Sequence, residues 1–252
     1  MSEEILINST PAEARVALVN GGMLQEVWLE RSGRSGYVGS IFKGKVSRVL
    51  PGLQAAFVEI GLERTAFLHA ADMQRQNPEL AGEELETPLI AALLRPGEEV
   101  IVQVIKDPMG SKGARLTTNI SIPSRFLVLL PQSETIGVSI RIEDEAERER
   151  LKQLVHVLRD ESGPHGYIAR TNAEGVSEFA LSADMNYLGK VWRSIGERAS
   201  EAAVGSCIYE DLSLPLRTLR DLMHENIEKV RIDSPGMFVE AEQFVRRFVP
   251  DW

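Results

Sequence analysis

The chain has 252 residues and a net charge of −9 at pH 7, with 28 lysines and arginines against 37 aspartates and glutamates. Apolar residues make up 43% of the chain, which is typical of a globular protein and excludes a disordered or collagen-like one. No apolar run approaches the roughly 20 residues of a membrane helix, and the acidic N-terminus lacks a secretory signal. The one cysteine, Cys207, excludes an intrachain disulfide and a multi-cysteine zinc site. We therefore expect a cytoplasmic protein with no membrane partner.

Positive charge is concentrated locally. Residues 36–71 carry four basic side chains against two acidic ones, whereas residues 72–95 carry two basic against five acidic. A net acidic chain argues against a general polyanion binder. The local excess of base nevertheless leaves nucleic-acid binding open, confined to one patch.

Residues 4–31 have the pattern of β-strands. The runs 14–19 and 23–30 flank Asn20-Gly21-Gly22, a strong hairpin turn signal. Residues 32–36 (SGRSG) then predict a flexible joint.

Residues 37–121 predict a small barrel. Short apolar strands are interrupted at Pro51-Gly52, near Gly61 and at 108–113, and residues 72–95 are polar enough to be a surface insertion that ends in a short helix. Five short strands with glycine-rich corners favour an OB-type barrel.

Residues 123–212 alternate between strand and helix patterns, which indicates an α/β unit. Strands are predicted for 125–131, 137–143 and 166–171, and helices for 145–160 and around Leu188–Ile195.

The apolar spacing in residues 213–252 predicts helices throughout. One stripe comprises Leu216, Leu219, Met223, Ile227 and Val230. A second helix begins at Ser234-Pro235, a capping residue followed by proline, and its stripe comprises Phe238, Ala241, Val245 and Phe248. No closing element follows, so we expect the chain to be truncated.

Two phenylalanines are the clearest candidates for a binding surface. Strict alternation puts Phe57 and Phe67 on the strand faces opposite the small aliphatic residues. OB barrels bind single-stranded nucleic acid by stacking bases on exposed aromatic rings within a basic groove. The basic residues available for phosphate contacts are Lys43, Lys45, Arg48 and Lys112. The alternatives are that both rings belong to the core and that Lys112 is a solvated turn residue.

A second candidate is the pair Arg170-Thr171, where a strand enters a loop. A guanidinium beside a hydroxyl can hold a terminal phosphate, because the arginine fork matches two phosphate oxygens. A plain surface pair at a strand end is the alternative.

The other polar groups give weaker evidence of a functional site. Asp184-Met185-Asn186 resembles a metal-binding pair, but we expect it to cap a helix that begins there. The four histidines show no metal-ligand spacing, and no nucleophile motif is present.

Several stretches resemble the N-terminal part of the bacterial ribonuclease E/G family, and its G branch more than its E branch. The resemblance covers essentially the whole chain and rests on residues 12–17, 37–46, 53–61 and 106–118 together with Arg170-Thr171. Residues 24–27, 106–108 and 145–150 favour the G branch.

The resemblance implies an α+β architecture. Residues 1–35 would be the first segment of a ribonuclease H-like part, 36–121 an inserted S-one type OB-fold RNA-binding domain, 122–212 a 5′-sensor region, and 213–252 the second, truncated ribonuclease H-like segment.

The resemblance also implies site residues. In this family the barrel's aromatic pair and loop lysine contact RNA, which matches Phe57, Phe67 and Lys112. The sensor pair matches Arg170 and Thr171. Further contacts to a 5′-monophosphate match Val128 and Ser124, although the E branch usually has glycine at the latter position.

The family cuts single-stranded RNA by Mg²⁺-assisted hydrolysis. Its metal-binding aspartates and the zinc link of its homodimer would lie beyond residue 252. We therefore expect the recognition half of an endoribonuclease for rRNA maturation and mRNA decay, inactive by itself. The competing hypotheses are a non-enzymatic OB-fold RNA-binding protein and a protein-interaction module that uses the acidic insertion.

Overall fold

A computed structural model describes residues 3–31, 36–73, 89–162, 164–223 and 226–248. The described strands are β1 Glu3–Ser9, β2 Glu13–Asn20, β3 Met23–Arg31, β4 Ile41–Leu50, β5 Ala55–Glu59, β6 Ala66–His69, β7 Glu99–Lys106, β8 Arg115–Thr117, β9 Ile122–Pro123, β10 Leu127–Leu130, β11 Ile136–Val138, β12 Gly166–Ala169, β13 Cys207–Tyr209 and β14 Ile227–Ile232. The described α-helices are α1 Ile90–Leu93, α2 Glu145–Ser162, α3 Glu178–Glu201, α4 Leu214–Leu222 and α5 Pro235–Phe248.

The chain forms two compact units. The first unit combines residues 1–36 with 212–252, and the second unit comprises residues 37–211. Within the described residues, no helix is long and apolar enough to cross a membrane.

The first unit is a four-stranded sheet in the order β14-β1-β2-β3. Its core joins Ile5, Ile7 and Val16 to apolar side chains of α4 and α5. The predicted hairpin is confirmed: β2 and β3 pair antiparallel, and the turn glycines Gly21 and Gly22 have φ of 57° and 80°. Positive φ at both central residues is what the tight hairpin turn needs.

The helical prediction for residues 227–230 is wrong. Helix α4 ends at Leu222, and Ile227–Ile232 forms strand β14, which pairs in parallel with β1. The spacing of Ile227 and Val230 continued the helical stripe by chance. The β-branched residues Ile227, Val230 and Ile232 favour a strand, and the open edge of β1 offers this strand a backbone partner.

Helix α5 is rotated relative to its predicted stripe. It buries Met237, Ala241 and Phe244, whereas Phe238 is 50% exposed. The predicted helix start is right, since α5 begins at Pro235 directly after Ser234.

The second unit contains the predicted OB barrel. The strands pair in the order β4-β5-β6-β8-β7, and a further β4–β7 pairing closes the ring. Small and branched side chains such as Ala56, Val58, Ala66 and Leu68 fill the interior. Because barrel, sheets and helices occur together, the α+β prediction is confirmed.

The remainder of the second unit is a sheet in the order β11-β12-β10-β9 that packs against α2 and α3. The strand predicted for 137–143 is shorter than expected. It ends at Val138, and a turn follows in which the Ile142 amide donates to the Ser139 carbonyl (3.1 Å). Ile140 is therefore 91% exposed.

Two predicted segments lie largely outside the described residues. They are the joint at 32–36, of which only Gly36 is described, and the acidic insertion at 72–95, of which residues 74–88 are not described. The short helix expected at the end of the insertion is α1.

Candidate nucleic-acid interface

Phe57 and Phe67 are direct cross-strand neighbours on the outside of the barrel. They pair between β5 and β6, with ring centroids 6.3 Å apart in an edge-to-face arrangement. Both rings are half-buried, whereas their strand neighbours Ala56, Val58 and Ala66 are fully buried. The predicted alternation is therefore correct, and the aromatic pair faces away from the core.

The aromatic pair lies in a row with two arginines. Arg48 on β4 is opposite Phe57, and Arg115 on β8 is opposite Phe67. A bulge between Val46 and Arg48 brings Arg48 into register. Arg48 is exposed, whereas Arg115 donates to the Asp72 carboxylate at 2.8 Å. That bond raises the pKa of Arg115.

Lys112 lies in a loop that is fixed against the start of β6. A bridge between Met109 and Lys112 tightens the loop, and the Phe67 amide donates to the Ala114 carbonyl (2.7 Å). A Cβ on Gly113 would come within 1.9 Å of the Thr65 carbonyl oxygen, so only glycine allows this close approach. Exposed Lys112 is thus held near the Phe67 strand. We call Arg48, Phe57, Phe67 and Lys112 the barrel face.

Lys43 and Lys45 are more constrained. The Lys43 ammonium lies 3.3 Å from the Glu99 carboxylate, and its side chain is 17% exposed. Lys45 is exposed and pairs in register with both Glu59 and Glu99. These carboxylates offset the positive charge of β4, so phosphate contacts by Lys43 and Lys45 stay a prediction.

Arg170 lies at the end of β12, beside the turn of residues 124–127. The Arg170 amide donates to the Phe126 carbonyl (2.8 Å), and the Nη1 atom of Arg170 donates to the Ser124 carbonyl (2.5 Å). The guanidinium is thereby fixed on one side by backbone.

The structure brings the other predicted sensor residues close to Arg170. Val128 lies on β10 opposite Ile168, two positions before Arg170. Ser124 is 2% exposed, and its hydroxyl contacts the Asp184 carboxylate (2.5 Å) and the Leu127 carbonyl (2.9 Å). Ser124 thus reaches Arg170 through its carbonyl.

Thr171 opens a short 3₁₀ turn and is exposed. Its hydroxyl lies 3.4 Å from the hydroxyl of Ser139 in the turn after β11. Sequence patterns gave no sign of Ser139, because that position was assigned to a strand.

Asp184 does not cap a helix, contrary to the sequence prediction. Helix α3 begins earlier and is capped by the Ser177 hydroxyl, which accepts from the Ala180 amide. Asp184 lies on the buried face of α3 with Leu181 and Leu188. A carboxylate within an apolar helical stripe was the signal in the sequence. Burial raises the pKa of Asp184, and the hydrogen bonds it accepts act in the opposite direction.

A second carboxylate holds the loop that follows Thr171. Glu147 on α2 forms a two-pronged ion pair with Arg150 (both contacts 2.6 Å) and accepts from the Gly175 amide (2.8 Å). Arg150 in turn donates to the Val176 carbonyl (3.2 Å). The pairing with Arg150 lowers the pKa of Glu147 to about 2.

We call Ser124–Val128, Ser139, Arg170 and Thr171 the turn cluster.

The described residues offer no fit for a catalytic metal. Within them, no three His, Cys, Asp or Glu side chains come together as potential metal ligands. A cavity of about 440 Å³ lies on the sheet of the first unit, lined by Leu6, Arg15, Val27 and Arg231 among others. It contains none of the predicted site residues.

Comparisons with known proteins agree with this geometry. A model of the S1 RNA binding domain matches residues 37–118, which contain the barrel, and a model of the Ribonuclease E/G family matches residues 121–252. The chain belongs to the ribonuclease E/G family. The resemblance seen in the sequence is thereby confirmed.

Curated members of this family align along nearly the whole chain. Ribonuclease G of Escherichia coli K12 is 47% identical over 254 residues, covering 100% of this chain and 52% of its own length. Ribonuclease G of Haemophilus influenzae is 49% identical, covering 98% and 51%. Ribonuclease E of Escherichia coli K12 is 36% identical, covering 96% and 23%. The chain thus spans about half the length of the ribonuclease G sequences it matches.

Proposed function

We propose that this chain is the RNA-recognition half of a single-strand-specific endoribonuclease that acts in rRNA maturation and mRNA decay. Membership of the ribonuclease E/G family and the S1 RNA binding domain support this proposal. The observation that carries it is the pair of Phe57 and Phe67, set side by side on the outside of the barrel and flanked by Arg48. Exposed aromatic rings provide a surface on which bases can stack, and the bases of a single strand are free to do so.

The turn cluster would bind the 5′ end of the RNA. Arg170 can give two parallel charge-assisted bonds to one phosphate, and the Thr171 hydroxyl adds a third donor. Val128 and Ser124 would complete the pocket, Ser124 by holding Arg170 through its carbonyl. A 5′-monophosphate is the ligand that fits this donor set, since a 5′-hydroxyl brings no charge to pair.

Catalysis would require the rest of the protein. We propose that the Mg²⁺ ligands are aspartates beyond residue 252 and that a full-length homodimer is joined there by zinc. Bound Mg²⁺ supplies an activated water and stabilises the developing charge on phosphorus. The residues of this chain would contribute by gripping the single strand and fixing its 5′ end. We also propose a cytoplasmic location, where these RNAs occur.

Binding of matched RNAs tests the recognition function. A short single-stranded RNA and a duplex of the same sequence are titrated with the chain and followed by fluorescence anisotropy. We expect the single strand to bind more tightly, because a duplex hides its base faces. Equal affinity for both forms, or no binding at low salt, would contradict the proposal.

A cleavage assay tests the assignment of catalysis. The chain, freed of contaminating nucleases, is incubated with single-stranded RNA and either Mg²⁺ or Mn²⁺. We expect no hydrolysis. Cleavage by the purified chain that depends on the added metal ion would contradict this assignment.

A further inference from the structure

The Asp184 carboxylate organises the turn of residues 124–127. One of its oxygens accepts from the Ser124 hydroxyl (2.5 Å) and from the amides of Phe126 and Leu127 (both 3.0 Å). The Arg125 amide also donates to this carboxylate. Three successive amides thus converge on one anion, which is the geometry of a backbone nest.

These hydrogen bonds have a physical reason. A carboxylate on the apolar face of α3 must be hydrogen-bonded, because burying an unpaired charge costs several kcal/mol. The turn supplies the donors, and the Asp184 carboxylate supplies the acceptor for the turn amides. The requirement is therefore mutual, and it fixes the conformation of residues 124–127.

The same turn holds Arg170 at two points. The Ser124 carbonyl accepts from the Arg170 side chain, and the Phe126 carbonyl accepts from the Arg170 amide. Asp184 thus binds the amides of the turn, and Arg170 binds the carbonyls of the same turn. A change in the turn would therefore alter both the plane and the rotamer of the guanidinium.

We propose that Asp184 is a positioning residue for 5′-phosphate recognition, acting on Arg170 through the 124–127 turn. This inference rests on the proposed 5′-phosphate function of Arg170. Binding is tighter when the donor is already fixed, because less conformational freedom is lost on association. The Asp184 carboxylate is engaged by hydrogen bonds from the turn, so its effect on binding would pass through the geometry of Arg170.

The variant Asp184→Asn tests this role. An amide keeps the shape but loses the charge and one acceptor, so the turn loosens. We expect the preference for 5′-monophosphate over 5′-hydroxyl RNA to fall roughly tenfold, as when one charge-assisted contact is lost. Affinity for the 5′-hydroxyl RNA should not change. Asp144→Asn is the matched control, because Asp144 also accepts from a backbone amide, that of Ala146, but lies at the start of α2.

Two further measurements separate positioning from general stability. In the Arg170→Ala background, Asp184→Asn should have no further effect on the preference, because it acts through Arg170. Without RNA, the Nε–H NMR signal of Arg170 should be sharp in the wild type and broadened in Asp184→Asn. If Asp184→Asn does not fold, Ser124→Ala can replace it, because it removes one hydrogen-bond donor to Asp184. We expect this variant to lose part of the preference for 5′-monophosphate RNA, by a smaller factor.

The outcomes distinguish this inference from the proposed function. A wild-type chain that does not discriminate between the two 5′ ends contradicts the proposed function and the inference with it. A wild type that discriminates, with Asp184→Asn unchanged in preference and in the Arg170 signal, overturns the inference alone. An equal loss of affinity for both RNAs also overturns it, because the role of Asp184 would then be structural.

Discussion

At the scale of residues, the proposed RNA binding by the barrel face depends on the rings of Phe57 and Phe67. We expect Phe57→Ala and Phe67→Ala each to weaken binding of single-stranded RNA by about 1–3 kcal/mol, the value of one stacked base. Anisotropy titrations of the purified variants measure this loss. Phe179→Ala is the matched control, because Phe179 is 84% exposed and lies on α3, outside the barrel.

Thermal unfolding of the same variants shows whether the rings belong to the core instead. Loss of a stacking surface leaves the midpoint nearly unchanged. A variant that lowers the midpoint strongly and, while folded, binds RNA normally would assign that ring to packing.

The proposed recognition of the RNA 5′ end depends on Arg170 and Thr171. We expect Arg170→Lys to lose most of the preference for a 5′-monophosphate, because an ammonium cannot reproduce the two parallel bonds of a guanidinium. Thr171→Val removes the hydroxyl at nearly constant volume and should give a smaller loss. Matched short RNAs that differ only at the 5′ end measure both. A lysine variant with the wild-type preference would exclude a role for the fork.

Residue patterns in the sequence located the outward aromatic pair, since alternation along β5 and β6 is a local property. They did not reveal the partners. Asp184 and Ser124 are 60 positions apart, and Arg48 meets Phe57 only because of a bulge. Contacts of this kind depend on how strands and helices pack, which periodicity does not encode.

At the scale of elements, Glu147 and Arg150 form an ion pair on α2, and each also hydrogen-bonds the loop after Thr171. The folded-state pKa of Glu147 is lowered from its ordinary 4.5 to about 2. Its stabilisation is therefore complete above pH 4.5 and is lost as the pH falls towards 2. We expect Glu147→Gln to reduce the free energy of unfolding at pH 7 by about 1–2 kcal/mol, discounted because Arg150 is partly exposed.

Urea unfolding at neutral and acidic pH measures this contribution. The difference between wild type and Glu147→Gln should shrink as the pH falls towards 2. Glu145→Gln is the control, because Glu145 is 84% exposed and lies 3.6 Å from Arg148. A Glu147 effect that does not depend on pH would mean that the ion pair is not its source.

The loop that carries Lys112 depends on Gly113. We expect Gly113→Ala to destabilise the barrel by about 1–3 kcal/mol, because the new methyl group would overlap the Thr65 carbonyl and the chain must shift. Chemical denaturation monitors the change. At Gly52 an added Cβ meets nothing within 4 Å, so Gly52→Ala should be nearly neutral. If both substitutions destabilise the barrel equally, the contact with the Thr65 carbonyl is not the cause.

Element types followed from the sequence where one pattern dominated, as in the hairpin, the barrel strands and α2. The segment 227–232 was misassigned because its apolar spacing fits a helix as well as a strand. What decides it is the free edge of β1, which offers a parallel partner. That edge comes from a segment over 200 positions away, so local propensity could not reveal it.

At the scale of the whole molecule, the proposed RNA recognition combines two surfaces of the second unit. The barrel face offers stacking and positive charge, and the turn cluster offers a fixed guanidinium. Since phosphate contacts release counterions, we expect the logarithm of the affinity to fall linearly with the logarithm of salt concentration. Lys112→Ala should reduce this slope by about one unit. A slope unchanged by the substitution would place Lys112 outside the contact.

In the proposed function, the bases of single-stranded RNA stack on Phe57 and Phe67. The most direct measurement is an NMR titration of the phenylalanine ring protons with a short single-stranded RNA. We predict upfield shifts of the Phe57 and Phe67 ring signals as bases stack on them, with no shift for Phe179. RNA binding that leaves both ring signals in place would contradict this account.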